Sequence, residues 1–173
     1  SAVALAAASG AGQVLVFEKS RIRMELALQT GATGVYHIDD LFAAGSSPAQ
    51  KIRELTGGWG ADMLVECTEF QFANLPQIED ALAVGAKIVQ IGISSRRAPL
   101  TTVKLQNVGG SYHGNIGSAG HGIWKDCINL IATGRVDPKK YMNPRIFSMD
   151  EALLANEDAA KAGGGKNVVD PSM

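Results

Sequence analysis

The chain has 173 residues, 46% of them hydrophobic, and a formal net charge of −1, the size and balance of one compact soluble domain with a sizeable core. Its Lys and Arg residues are scattered singly or in pairs such as Arg96-Arg97 and Lys139-Lys140, so no basic patch offers itself to nucleic acid, which is excluded as a partner. No run of 18 apolar residues occurs and the Ala-rich start "SAVALAAAS" lacks a basic n-region, so neither a membrane span nor a secretory signal is expected and the chain is assigned to the cytoplasm.

In chain order, the Ala-rich start reads as a helix, and "SGAG" (Ser9 to Gly12) as a turn from that helix into a strand. Strands are expected near 13–17 (QVLVF), 34–38 (GVYHI), 62–66 (DMLVE), 87–91 (KIVQI) and 108–113. Between them, "SRIRMELALQTGA" reads as a helix stopped by Gly31, and "SSPAQKIRELTGG" as one opened by Ser and Pro and closed by Gly57. "FANLPQIEDALAVGA" reads as a helix with Pro76 near its first turn and Gly85 past its end. "HGIWKDCINLIATGR" puts Ile123, Cys127, Leu130 and Ile131 on one helical face, with Gly134 closing it. The last segment starts with Ser148 and Glu151 at capping-box spacing and ends in a short strand. Short apolar runs alternating with helices indicate an α/β fold, a Rossmann-like doubly wound parallel sheet.

In such a sheet, ligands bind at the carboxyl ends of the strands. Glu18 ends the first expected strand, where a carboxylate can accept hydrogen bonds from the two hydroxyls of an adenosine ribose and repel a 2'-phosphate. It can equally be an exposed acid that opens the next helix, favoured by the helix dipole. A dinucleotide fingerprint needs a strand and a G-x-G-x-x-G turn about 20 residues upstream, and the 17 residues before Glu18 contain no such motif. Cys67 and Cys127 are too few for a disulfide scaffold and wrongly spaced for zinc, and read as reduced thiols on core faces. His37 reads as a polar residue within a strand and His121 as a helix-start residue. Trp59 reads as a solvent-side loop anchor.

The segments "ASGAGQVLVFEKSRIRMELALQTGAT", "TGGWGADMLVECT", "GAKIVQIGI", "GGSYHG" and "LIATGRVDPKKYM" together resemble the nicotinamide domain of the zinc-dependent medium-chain alcohol and polyol dehydrogenases, in order and over essentially the whole chain. "PQIEDAL" and "GHGIWKDCINLIATG" resemble most the branch acting on polyols or cyclitols. The resemblance implies an NAD-binding portion, residues 1–173, of an enzyme that passes hydride between NAD and a secondary alcohol. It implies that the family's first strand, Gly-rich loop and GroES-like catalytic domain, with its zinc ligands and proton relay, lie upstream of Ser1, and that the 173-residue chain alone is inactive. A small alcohol or polyol substrate and a homo-oligomer, with no membrane or nucleic-acid partner, are implied as well. The strands near "KIVQIGI" and "PLTTVKLQN" are expected toward the subunit contact.

Matched residue by residue, the resemblance places Glu18 on the ribose-binding acid and Arg23 on a basic position beside it. Cys67 and Thr68 fall on the adenosine-side turn, where Glu69 departs from a common Gly. Ile91, Gly92 and Ile93 fall on backbone bordering the nicotinamide, and Ser111 and His113 on the stretch facing its carboxamide. No catalytic residue and no metal ligand is assigned to this chain, zinc being expected only upstream. Because the first strand is central in this fold, its absence would bare two strand edges. They would be filled by upstream chain, by closure on each other, or by another chain. Two other functions stay open: a non-catalytic remnant that assembles, and a domain that binds S-adenosylmethionine through the same acid.

Overall fold

The computed structural model describes residues 1–115, 117, 122–161 and 164–173. In chain order its elements are α1 (Ala2–Ala8), β1 (Leu15–Glu18), α2 (Arg21–Gln29), β2 (Gly34–His37), α3 (Ile38–Ala43), α4 (Pro48–Leu55), β3 (Ala61–Glu66), α5 (Gln71–Ile78), β4 (Leu82–Gln90), α6 (Thr102–Val108), β5 (Ser111–Gly114), α7 (Ile123–Ala132), β6 (Met142–Ser148), α8 (Ala152–Ala160) and β7 (Lys166–Asp170). Every ladder among the described residues is parallel, in the orders β1-β2, β3-β4-β5 and β6-β7. The α/β reading therefore holds. The chain divides into two compact units, Ser1–Asp39 with Trp124–Met173, and Asp40–Ile123.

In the first unit, β1 and β2 pair from Leu15↔Gly34 to Glu18↔His37. Phe17 and Tyr36, partners in that register, stack with ring centroids 5.6 Å apart. The crossover helix α2 is opened by Ser20, whose hydroxyl accepts from the Arg23 amide at 3.4 Å. Gly31 ends it at φ +108°, and a Cβ there would lie 2.7 Å from the Ala7 Cβ of α1, so conformation and space both require glycine. Phe147, Val136, Val14, Ala4, Ala27 and Ala155 supply the buried apolar side chains of this unit.

In the second unit, α5 and α6 return the chain between β3, β4 and β5 over Leu64, Ile88, Leu75 and Ala86. Ser47 caps α4 by accepting from the Gln50 amide at 3.2 Å, with Pro48 in the first turn. β1 pairs with β2 alone and β3 with β4 alone, so neither edge is closed within the described residues.

Several sequence expectations shift. The helix proposed over "FANLPQIEDALAVGA" stops at Ile78, Pro76 lies in its interior, and Gly85 falls inside β4 at φ +75°. The Arg53 guanidinium donates to the carbonyls of Asp80 (2.9 Å) and Leu82 (3.1 Å), which a longer helix would have used internally. "PLTTVKLQN", read as strand, contains α6 instead, and β5 begins only at Ser111. Gly109 ends α6 in the left-handed region at φ +61°. Neither α3 nor β6 was expected. The capping box at Ser148 and Glu151 is present, though it opens a short 3₁₀ turn ahead of α8. On α7, Cys127 and Leu130 are half-buried while Ile123 and Ile131 are exposed. Cys67 is exposed rather than on a core face, and both thiols are free. Trp59 is 78% exposed, as a solvent-side residue should be. His121 lies outside the described residues.

Candidate cofactor site

The nine sequence-assigned residues fall into two groups, one in each unit. In the first, Glu18 is the last residue of β1, and its Oε1 accepts from the backbone N–H groups of Lys19 (2.7 Å) and Ser20 (2.9 Å). His37, opposite Glu18 in the register, donates from Nε2 to the Lys19 carbonyl at 2.7 Å. The turn that carries the acid is thus held from both sides, one carboxylate oxygen being engaged by backbone. Arg23 lies in the first turn of α2, exposed, beyond the Ser20 cap.

In the second unit the structure brings the turn after β3 against the turn after β4. The Glu66 carbonyl accepts from the amides of Ile91 (2.8 Å) and Gly92 (3.0 Å). A Cβ at Gly92 would overlap the Thr68 carbonyl. Gly92 is therefore where two backbones touch, which only glycine permits. Cys67 and Thr68 lie on one of these turns and Ile91, Gly92 and Ile93 on the other, with Ile91 49% and Ile93 81% exposed. Crowding of its sulfur, and then the neighbouring Glu66 carboxylate, push the Cys67 thiol pKa up. Glu69 is exposed on the same turn. On β5, the Ser111 hydroxyl and His113 Nε2 are paired at 2.8 Å, and His113 sits opposite Val89 of β4.

Sequence reasoning missed Glu66. It is 4% exposed at the end of β3, and its carboxylate accepts from the amide (3.1 Å) and hydroxyl (2.6 Å) of Thr68, from Gln71 Nε2 (3.1 Å), from Asn74 Nδ2 (2.8 Å) and from Gln90 Nε2 (3.4 Å). The one signal was a Glu closing an apolar run, followed at short range by Thr, Gln and Asn.

Each unit thus carries a held turn at the carboxyl end of a parallel strand, at Glu18 in the first and at Gly92 in the second. No group of three or more His, Cys, Asp or Glu among the described residues could hold a metal ion. A family model described as zinc-binding dehydrogenase matches residues 1–133. The chain belongs to that family. It matches the NAD-binding part of zinc-dependent alcohol and polyol dehydrogenases.

Among curated relatives of this zinc-binding dehydrogenase chain, the L-threonine 3-dehydrogenase of Bacillus licheniformis is 29% identical over 98% of the chain and 47% of its own length. The scyllo-inosose 3-dehydrogenase of Thermotoga maritima is 28% identical over 87% of the chain and 38% of its own. A solved chain from Thermotoga maritima, named as an alcohol dehydrogenase by inference, superposes with a TM-score of 0.85 at 26% identity, covering 97% of this chain and 42% of that one. The chain thus spans less than half the length of these relatives. The relatives named as threonine, scyllo-inosose and sorbitol dehydrogenases are oxidoreductases acting on CH–OH groups, and the family uses NAD or NADP. No helix among the described residues is long and apolar enough to cross a membrane.

Proposed function

We propose that this chain supplies the cofactor bed of a zinc-dependent dehydrogenase that oxidises a secondary alcohol, and that it takes NAD in preference to NADP. The observation that carries the preference is the Glu18 carboxylate at the carboxyl end of β1, pinned through Oε1 to two backbone amides. Its second oxygen is the one offered to ribose hydroxyls, and its charge opposes a 2'-phosphate. Arg23 flanks that ribose. Cys67 and Thr68 line the adenosine side, while the Gly92 backbone with Ile91 and Ile93 borders the nicotinamide. Ser111 and His113 present the backbone that faces the carboxamide. Bound NAD supplies the hydride acceptor.

The acid, base and zinc belong to a catalytic domain outside residues 1–173, so the chain alone turns nothing over, and no step through zinc is assigned to its side chains. The substrate is a small secondary alcohol with polar neighbours, the class that includes threonine and inosose, named for two relatives. The working location is the cytoplasm and the working form a homo-oligomer. Calorimetric titration with NAD, NADP and S-adenosylmethionine tests the reading. NAD should bind at least tenfold tighter than NADP, and S-adenosylmethionine should not bind. Binding of S-adenosylmethionine alone would overturn the assignment, and binding of none of the three would favour a chain that assembles without cofactor.

A further inference from the structure

We infer that Glu66 is a positioning residue that fixes the spacing of the turns after β3 and β4. This rests on the reading that those turns face the cofactor. Five donors converge on its carboxylate, and none is a Lys, Arg or His. A buried carboxylate balanced only by amide and hydroxyl dipoles is a costly way to fill space, and a well-packed apolar side chain would serve stability as well or better. What the carboxylate does provide is a set of directed bonds to different parts of the chain.

Those parts are specific. Thr68 belongs to the turn after β3, and Gln71 and Asn74 to α5, which that turn launches. Gln71 Nε2 also donates to the Thr68 carbonyl, the atom against which Gly92 packs. Gln90 closes β4 and donates onward to the Gly92 carbonyl at 2.7 Å, while its own Oε1 accepts from the Tyr112 hydroxyl of β5 at 3.0 Å. The main-chain carbonyl of Glu66 takes the Ile91 and Gly92 amides as well. One residue therefore ties the carboxyl ends of β3 and β4 together and, through Gln90, reaches Tyr112 of β5, with the two turns held in backbone contact. A connected, fully satisfied polar network of this kind rigidifies what it joins.

Glu66→Gln tests this, because it keeps the shape but turns one acceptor position into a donor that faces other donors. The NAD dissociation constant should rise at least tenfold. That for ADP-ribose, which still meets the Thr68 turn on its adenosine side but makes no contact that depends on the spacing from that turn to Gly92, should rise less than threefold. The double variant Glu66→Gln with Gln71→Glu, which returns a carboxylate to the same cluster, should bring NAD affinity back to within threefold of the unaltered protein. Loss of fold alone would lower the binding stoichiometry and would not separate the two ligands. Should Glu66→Gln not fold, Gln90→Met carries the same comparison from the rim of the network. An unaltered protein that fails to bind NAD overturns the functional reading and this inference with it. An unaltered protein that binds NAD, with variants whose NAD and ADP-ribose affinities change in equal proportion, overturns this inference alone.

Discussion

Replacing Glu18 by Gln isolates recognition from folding. In the native turn, Oε1 already accepts the Lys19 and Ser20 amides at 2.7 and 2.9 Å. A Gln amide oxygen can keep both bonds, so β1 and the start of α2 should stay as they are. The changed position is Oε2, which becomes an NH2 group, a donor where a ribose hydroxyl needs an acceptor. A hydrogen bond to a charged group is worth about 1.5–3 kcal/mol. At 1.4 kcal/mol per decade, NAD should bind roughly 10- to 150-fold more weakly. NADP should gain or hold, because a 2'-phosphate carrying about −1.5 to −2 charges no longer meets a carboxylate. Paired calorimetric titrations of both cofactors read the ratio directly, with thermal unfolding as the control for the turn. Equal changes for NAD and NADP, or an NAD constant within twofold of the unaltered protein, would show that Glu18 serves only to open α2.

Gly92→Ala puts a methyl group into the Thr68 carbonyl, and the Ile91 and Gly92 bonds to Glu66 must lengthen. A loss of about 1–3 kcal/mol, the usual cost of overpacking, should lower the urea midpoint with the slope unchanged, and an unmoved midpoint would refute the contact. Cys67 is exposed yet has a raised thiol pKa, so iodoacetamide should modify it more slowly at pH 7.5 than it modifies a free thiol. A rate profile centred below that of free cysteine would contradict the crowding and the Glu66 charge as causes. For Glu79, burial opposes ionisation, but bonds from Thr101 and the charge of Lys104 outweigh it and hold the carboxyl below its usual range. A depressed folded pKa stabilises above the unfolded pKa, and that stabilisation disappears as pH falls through the folded value. Glu79→Gln should therefore cost about 1 kcal/mol near neutrality and close on the unaltered protein in acid, as urea titrations at both pH values would show.

The βα order was legible because β1, β2, β3 and the second half of β4 are apolar runs between good caps, and glycines such as Gly31 mark the stops their φ values require. The failures have local causes. β6 was hidden by Pro144, which cannot donate to a ladder. Its register shifts between Met142 and Ile146, and Pro144 falls within that irregular stretch. α6 was hidden by a Thr-rich start that suggests a strand. The Thr101 amide is instead held by Glu79, and Lys104, one turn into the helix, reaches Glu79 at 3.4 Å and Asp80 at 2.7 Å. The short α5 reflects Arg53, a residue 27 positions from Asp80, which no local pattern could have connected to it.

Glu18 and Glu66 look alike in sequence, since each closes an apolar run at the carboxyl end of a parallel strand. The residues downstream of each decide their roles. After Glu18 come Lys19, Ser20 and Arg21, residues that start an exposed helix, so the carboxylate has only main-chain amides of its own turn to accept from, on one oxygen. After Glu66 come Thr68, Gln71 and Asn74, spaced so that a turn and the first turn of α5 bring all three back over the strand end, and Gln90 meets them from β4. Five donors leave little acceptor capacity for a ligand on a group that can take about four well-formed bonds. The half-buried acid with one engaged oxygen is therefore the one able to choose a cofactor, and the buried acid with none to spare is the one able to hold the backbone that the cofactor would meet.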